Sequence, residues 1–162
     1  MSERLTFGPF SGGFELRRAD EVLARIVSGG DGGGTRLEIG DATWSLTIEG
    51  DRAALAATWQ AVARDAAGDE AARYYHGSMR GGRVRIGDRS GSLRRELGLG
   101  TEWRLRFKPD AALTLRPTPR PEGMQLDLAF VPGSADVPAL LLALVCWSIV
   151  TEEATGPARV GS

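Results

Sequence analysis

Fourteen consecutive residues, Val137 to Val150 within DVPALLLALVCWSIVTEE, carry no charge and a single polar side chain, Ser148. A helix that is apolar on every side has to lie in a membrane or inside a protein, because an exposed helix keeps one polar face. At 1.5 Å per residue the run reaches about 21 Å, short of the roughly 30 Å of a bilayer's hydrocarbon core. The rest of the chain is therefore expected to wrap it. The expected core helix is 137–152, with Asp136 as its N-cap and Pro138 in its first turn, where a missing N–H costs nothing.

A chain of 162 residues with 42% hydrophobic content suffices for one domain with a sizeable core. The expected domain is 1–153, with 154–162 as a flexible tail. The amino end, MSERLTFGPF, has no apolar run of signal-peptide length, so a cytoplasmic location is expected. One cysteine excludes an internal disulfide framework, and Cys146 lies inside the apolar run, where a buried, inert thiol is expected. The 19 arginines against the single Lys108 reflect coding bias and carry no functional weight.

Two segments resemble each other. RLEIGDATWSLTIEG (36–50) returns at an offset of 47 residues as RVRIGDRSGSLRREL (83–97), with Ile39-Gly40-Asp41 matching Ile86-Gly87-Asp88. A Thr and Trp segment follows each copy, around Trp59 and Trp103, and GFELRRADEVLARIV (13–27) is a weaker third relative. In each unit a Gly-Asp turn separates runs rich in Ile, Leu, Thr and Trp, which is a hairpin signal. EWRLRFKP alternates, with Trp103, Leu105 and Phe107 on one face and Arg104, Arg106 and Lys108 on the other, as in a half-buried strand. Residues 52–67 are helix-like by local pattern, but the repeat favours strand there.

The expected fold is mainly β: about twelve antiparallel strands closed around the C-terminal hydrophobic helix. A closed sheet of that size has room for a helix and leaves no edge exposed. Trp44, Trp59 and Trp103 are the expected inward partners of Trp147. The Gly-rich GGDGGG (29–34) lacks the Lys and Ser/Thr of a phosphate-binding loop and reads as a connection.

Paired repeats, about twelve strands and a terminal apolar helix resemble the tubby C-terminal-like superfamily, which includes tubby proteins, plant LURP-one-related proteins and phospholipid scramblases. The resemblance spans residues 4 to 153 and rests on organisation. It implies a barrel around a buried helix. In tubby proteins it also implies phosphoinositide binding through basic residues, none of which carries over here by position. Scramblases differ in an acidic calcium-binding segment near the helix, where TEEATGPARVGS offers only Glu152 and Glu153.

Charge is unevenly spread. Residues 73–120 hold 12 Arg or Lys against 4 Asp or Glu, residues 1–72 hold 7 against 12, and residues 121–162 hold 1 against 5. The near-neutral total conceals a basic block. Arg83, Arg85, Arg94, Arg104, Arg106, Lys108 and Arg116 fall at outward positions and form a stripe suited to anionic lipid or phosphoinositide headgroups at a membrane surface. The alternative is a protein interaction module or oligomeric scaffold, in which the stripe meets an acidic surface or a second copy. Ordinary solvated strand exteriors, paired with Glu96 or Glu102, would have the same pattern.

An enzyme is not expected. With one histidine, His76, and a buried Cys146, the chain offers no His-supported nucleophile and no zinc set. His76 is expected at a strand end. Asp41, Asp65, Asp88 and Asp110 lie at turns, where Asp caps its own backbone. No cofactor or metal is expected. Nucleic acid is disfavoured because only inward-facing aromatics interleave with the arginines.

Overall fold

The computed structural model describes residues 4–29, 34–50, 58–78, 80–97, 101–108 and 110–155. Twelve strands precede one helix. The first six are β1 (Arg4–Phe10), β2 (Gly13–Arg18), β3 (Glu21–Ser28), β4 (Thr35–Ile39), β5 (Ala42–Gly50) and β6 (Trp59–Arg64). The second six are β7 (Glu70–Ser78), β8 (Gly81–Ile86), β9 (Arg89–Leu97), β10 (Thr101–Phe107), β11 (Ala111–Arg120) and β12 (Gly123–Phe130), followed by α1 (Ala139–Thr155). Each strand pairs antiparallel with its neighbour in sequence, and β12 closes onto β1 from Arg4 opposite Ala129 to Phe7 opposite Leu126. Closure gives every strand two partners and removes the free edges.

The period-2 alternation read from sequence is what separates inside from outside. In β10, Trp103, Leu105 and Phe107 are buried while Arg104 and Arg106 are exposed, and in β8 Val84 is buried between exposed Arg83 and Arg85. The exterior of β8–β10 is thus charged and its interior apolar, the reverse of a membrane barrel. Gly40-Asp41 and Gly87-Asp88 form two-residue hairpin turns, with φ of 57° at Gly40 and 60° at Gly87, where a residue without Cβ carries no steric penalty.

The helix occupies the interior, and Leu140 through Val150 are buried on every side of it. It packs most closely against β7 and β3, where the inward residues Ala72 and Ala24, with Ala61 and Ala63 on β6 beside them, leave room for a helix backbone. Under β9–β11 the gap is wider and is filled by Leu93, Trp103, Leu105, Phe107, Leu113 and Leu115. Trp59 and Trp103 are inward and buried as expected, whereas Trp44 is only half-buried. Ser148, the one hydroxyl in the apolar run, donates to the Leu144 carbonyl at 2.8 Å, which removes the penalty of burying it.

Three expectations are corrected. The first bond of α1 runs from the Leu142 N–H to the Pro138 carbonyl, 3.0 Å, so Pro138 and not Asp136 holds the cap position. Val137 precedes a proline, whose ring disfavours helical backbone at that residue, so the helix cannot begin there. At its other end α1 runs to Thr155 rather than 152, into the segment expected as a tail, and 156–162 lie outside the described residues. His76 lies on the inward face of β7 and is buried, because strand alternation turns it in with Tyr74 and Ala72. Within 52–67, Trp59–Arg64 is strand, and 52–57 lie outside the described residues.

Candidate functional site

Antiparallel register aligns outward side chains of neighbouring strands into rows about 4.8 Å per step, with successive rows on one face about 7 Å apart. One row runs Gln60, Tyr75, Arg83, Ser92, Arg106 and Ala112 across β6 to β11. The next on one side runs Arg73, Arg85 and Ser90, and the Lys108 N–H donates to the Ser90 carbonyl at 3.0 Å, which brings Lys108 alongside. The next on the other side sets Arg94 opposite Arg104, with Thr114 beyond. Two of these rows therefore repeat one pattern, a serine flanked by a cation on either side, Arg83 and Arg106 about Ser92 and Arg85 and Lys108 about Ser90, with Lys108 just beyond the end of β10.

Short side chains between long ones make a depression. It has a volume of about 1160 Å³, and its lining includes Gln60, Arg73, Tyr75, Arg83, Arg85, Ser90, Ser92, Arg106, Lys108 and Asp110. All seven sequence-predicted residues are on this exterior and exposed. The structure divides them: Arg83, Arg85, Arg106 and Lys108 line the depression, while Arg94, Arg104 and Arg116 extend the same face beyond it.

Ion pairing divides them again. Arg85 Nη2 lies 2.9 Å from Glu70 Oε2, and Arg73 holds the other oxygen of Glu70 at 2.6 Å. Hydrogen bonds from Arg73 chiefly, and from Arg85, hold the Glu70 carboxyl below the usual carboxylate range. Arg116 Nη2 lies 3.3 Å from Glu102 Oε1. Among the described residues, Arg83, Arg94, Arg104, Arg106 and Lys108 make no ion pair.

The expectation that aromatics near the arginines all face inward is corrected. In ARYYHG, alternation turns Tyr74 and His76 in and Tyr75 out, and Tyr75 is 40% exposed opposite Arg83. Gly77 makes space for its ring, since a Cβ there would stand 3.0 Å from Tyr75 Cε1. Tyr75, Gln60, Ser90 and Ser92 were missed as site residues. Alternation could have placed Tyr75 outward, but only register shows that it neighbours Arg83.

A second cluster lies inside the barrel. The Tyr74 hydroxyl is 2.7 Å from His76 Nδ1, the Trp59 ring stacks on the imidazole with centroids 4.9 Å apart, and His76 Nε2 is 4.0 Å from Glu152 Oε1 on α1. Burial, and then the Glu152 carboxylate, push the Tyr74 hydroxyl well above its ordinary pKa, so it stays protonated and donates to Nδ1. That assigns the ring proton of neutral His76 to Nε2, facing Glu152. Burial holds the His76 pKa below its ordinary value. The cluster ties the last turns of α1 to β6 and β7.

Cys146 is fully buried in α1, and burial pushes its thiol pKa far up. Asp41, Asp65, Asp88 and Asp110 lie in the connections between strands; Asp65 Oδ1 accepts the N–H groups of Ala67 and Asp69, both at 3.0 Å, as an Asx turn does. Among the described residues, no group of three His, Cys, Asp or Glu is placed to hold a metal ion.

The chain matches no protein-family model, no curated protein and no solved structure.

Proposed function

We propose that this protein is a non-enzymatic binding domain that recognises anionic lipid headgroups, phosphoinositides among them, through the basic face of β8–β11. The observation that carries this reading is the cluster of cations without counter-ions: Arg83, Arg94, Arg104, Arg106 and Lys108 stand in three adjacent rows on three neighbouring strands and the turn after them, with no ion pair among the described residues. An ordinary solvated exterior would be expected to intersperse carboxylates, as Glu70 and Glu102 do at its margins. The resemblance to tubby proteins points the same way. The association proposed is peripheral, at the inner face of the cytoplasmic membrane, through the charged exterior of β8–β10; no helix among the described residues is long and apolar enough to cross a membrane.

Each cation near an anionic leaflet contributes about 1 kcal/mol, and salt screens it. Co-sedimentation with anionic vesicles is expected at low salt and to be lost at high salt, with no binding to neutral vesicles. Replacing two cations, Arg104→Glu with Arg106→Glu, is expected to weaken it at least about 30-fold. Indifference to lipid together with a stable oligomer would instead favour the scaffold alternative.

A further inference from the structure

We infer that the depression over β6–β10 is a seat for a nucleoside polyphosphate, its phosphates between Arg83 and Arg106 over Ser92 and its base on Tyr75 beside Gln60. The inference rests on the anion-binding reading above and adds a soluble ligand at the same face.

The argument is the order of side chains in one row. Gln60, Tyr75, Arg83, Ser92 and Arg106 are successive cross-strand neighbours on β6, β7, β8, β9 and β10, and all five line the same depression. From one end to the other the row offers an amide, an aromatic ring, a guanidinium, a hydroxyl and a second guanidinium. A phosphate between two guanidiniums takes charge-assisted, bidentate hydrogen bonds, and a serine beneath it adds a neutral donor. Tyr75 stands two strand steps from Ser92, about 10 Å, which leaves space for a sugar between base and phosphate. An exposed aromatic face beside cations stacks planar rings with little preference among bases, and an amide side chain can both donate to and accept from a base edge.

Three features sharpen the class. Arg83 and Arg106 are without ion pairs among the described residues, so no internal carboxylate competes for that end. Asp110, the carboxylate in the lining, lies beyond Lys108 in the β10–β11 turn, on the neighbouring row and away from the base end. Among the described residues the exposed large hydrophobics are Tyr75 and Val131, and of the two only Tyr75 lines the basic depression. A headgroup without an aromatic ring would use the arginines and leave Tyr75 without a stacking partner.

The test is calorimetric titration of the full chain with four nucleoside diphosphates of different base, with inorganic pyrophosphate and with an inositol polyphosphate, whose ring is not aromatic, alongside anionic vesicles. At least one diphosphate is expected to bind about tenfold tighter than pyrophosphate. Tyr75→Leu is expected to erase that difference without weakening pyrophosphate, and Tyr75→Phe to keep it. Arg83→Gln with Arg106→Gln is expected to abolish both; the three positions are exposed, and an unchanged melting curve confirms folding. Equal binding of diphosphates and pyrophosphate would overturn the base contact while leaving the anion reading intact. So would a Tyr75→Leu effect confined to vesicles, which would make the ring an interfacial anchor. Vesicle binding with no affinity for any soluble phosphate would overturn the nucleotide seat and keep the lipid reading. Failure of every anion, vesicles included, would overturn both.

Discussion

Arg94 and Arg104 face each other as a directly opposed cross-strand pair on β9 and β10, and neither has a carboxylate partner among the described residues. Like charges in that position oppose folding, and an opposite-charge pair there contributes about 0.2–1 kcal/mol. A surface kept for stability alone would avoid the arrangement. Arg94→Glu is therefore expected to raise stability by about 0.5 kcal/mol in urea unfolding and to lower anionic-vesicle affinity at least about 5-fold at low salt. A destabilised variant with unchanged vesicle binding would refute the account.

The His76 cluster makes stability depend on pH. Burial lowers the folded-state pKa of His76, so the unfolded chain takes up its proton first as pH falls below about 6.5. Stability from neutral His76 is present above that value and is lost as pH falls, with a slope of up to about 1.4 kcal/mol per pH unit until the folded pKa is reached. Urea unfolding at pH 7.5, 6.5 and 5.5 is expected to show this fall, and His76→Gln to flatten it. In the same cluster Tyr74→Phe leaves Nδ1 of His76 buried without its donor and is expected to cost about 1–3 kcal/mol. A pH profile shared by the wild type and His76→Gln would place the titration elsewhere.

Ala19, in the turn between β2 and β3, has φ of 51°, the one non-glycine residue with positive φ among those described. A side chain in that region costs about 1–2 kcal/mol, against a glycine's extra unfolded-state entropy of about 0.5–1 kcal/mol. Ala19→Gly is expected to stabilise by about 0.5–1 kcal/mol, read as a rise in Tm of about 2 °C. A lower Tm would show that the turn is not strained.

Cys146 lies wholly inside the barrel wall, on α1, with its thiol held protonated by burial. Thiol reagents are expected to leave it unmodified in the native protein and to label it at the rate of global unfolding. Labelling much faster than unfolding would mean that the helix leaves the barrel while the sheet persists.

Much of the architecture was legible because it depends on short-range periodicity. The uniformly apolar Val137–Val150 demanded a wrapper, and the alternation of Trp103 to Lys108 assigned faces to a strand; both follow from chain geometry within a few residues. The same rule made Arg83, Arg85, Arg104 and Arg106 exterior, as the structure has them. It failed at the start of α1, where a single proline moved the cap from Asp136 to Pro138.

What the sequence by itself determined, then, is which side chains lie inside the barrel and which outside. Only the tertiary structure decided which outer residues are neighbours. Strand alternation specifies a face, but the partner across the ladder is set by turn lengths and by register shifts such as the one between His76 and Ser78. That register puts Ser92 between Arg83 and Arg106, sets Arg94 against Arg104, brings Tyr75 beside Arg83, and lets Glu70 pair with Arg73 and Arg85 while Arg83 makes no ion pair among the described residues. The approach of Glu152 to His76 joins residues 76 positions apart, and no local pattern encodes it, because it depends on the whole sheet closing around the helix.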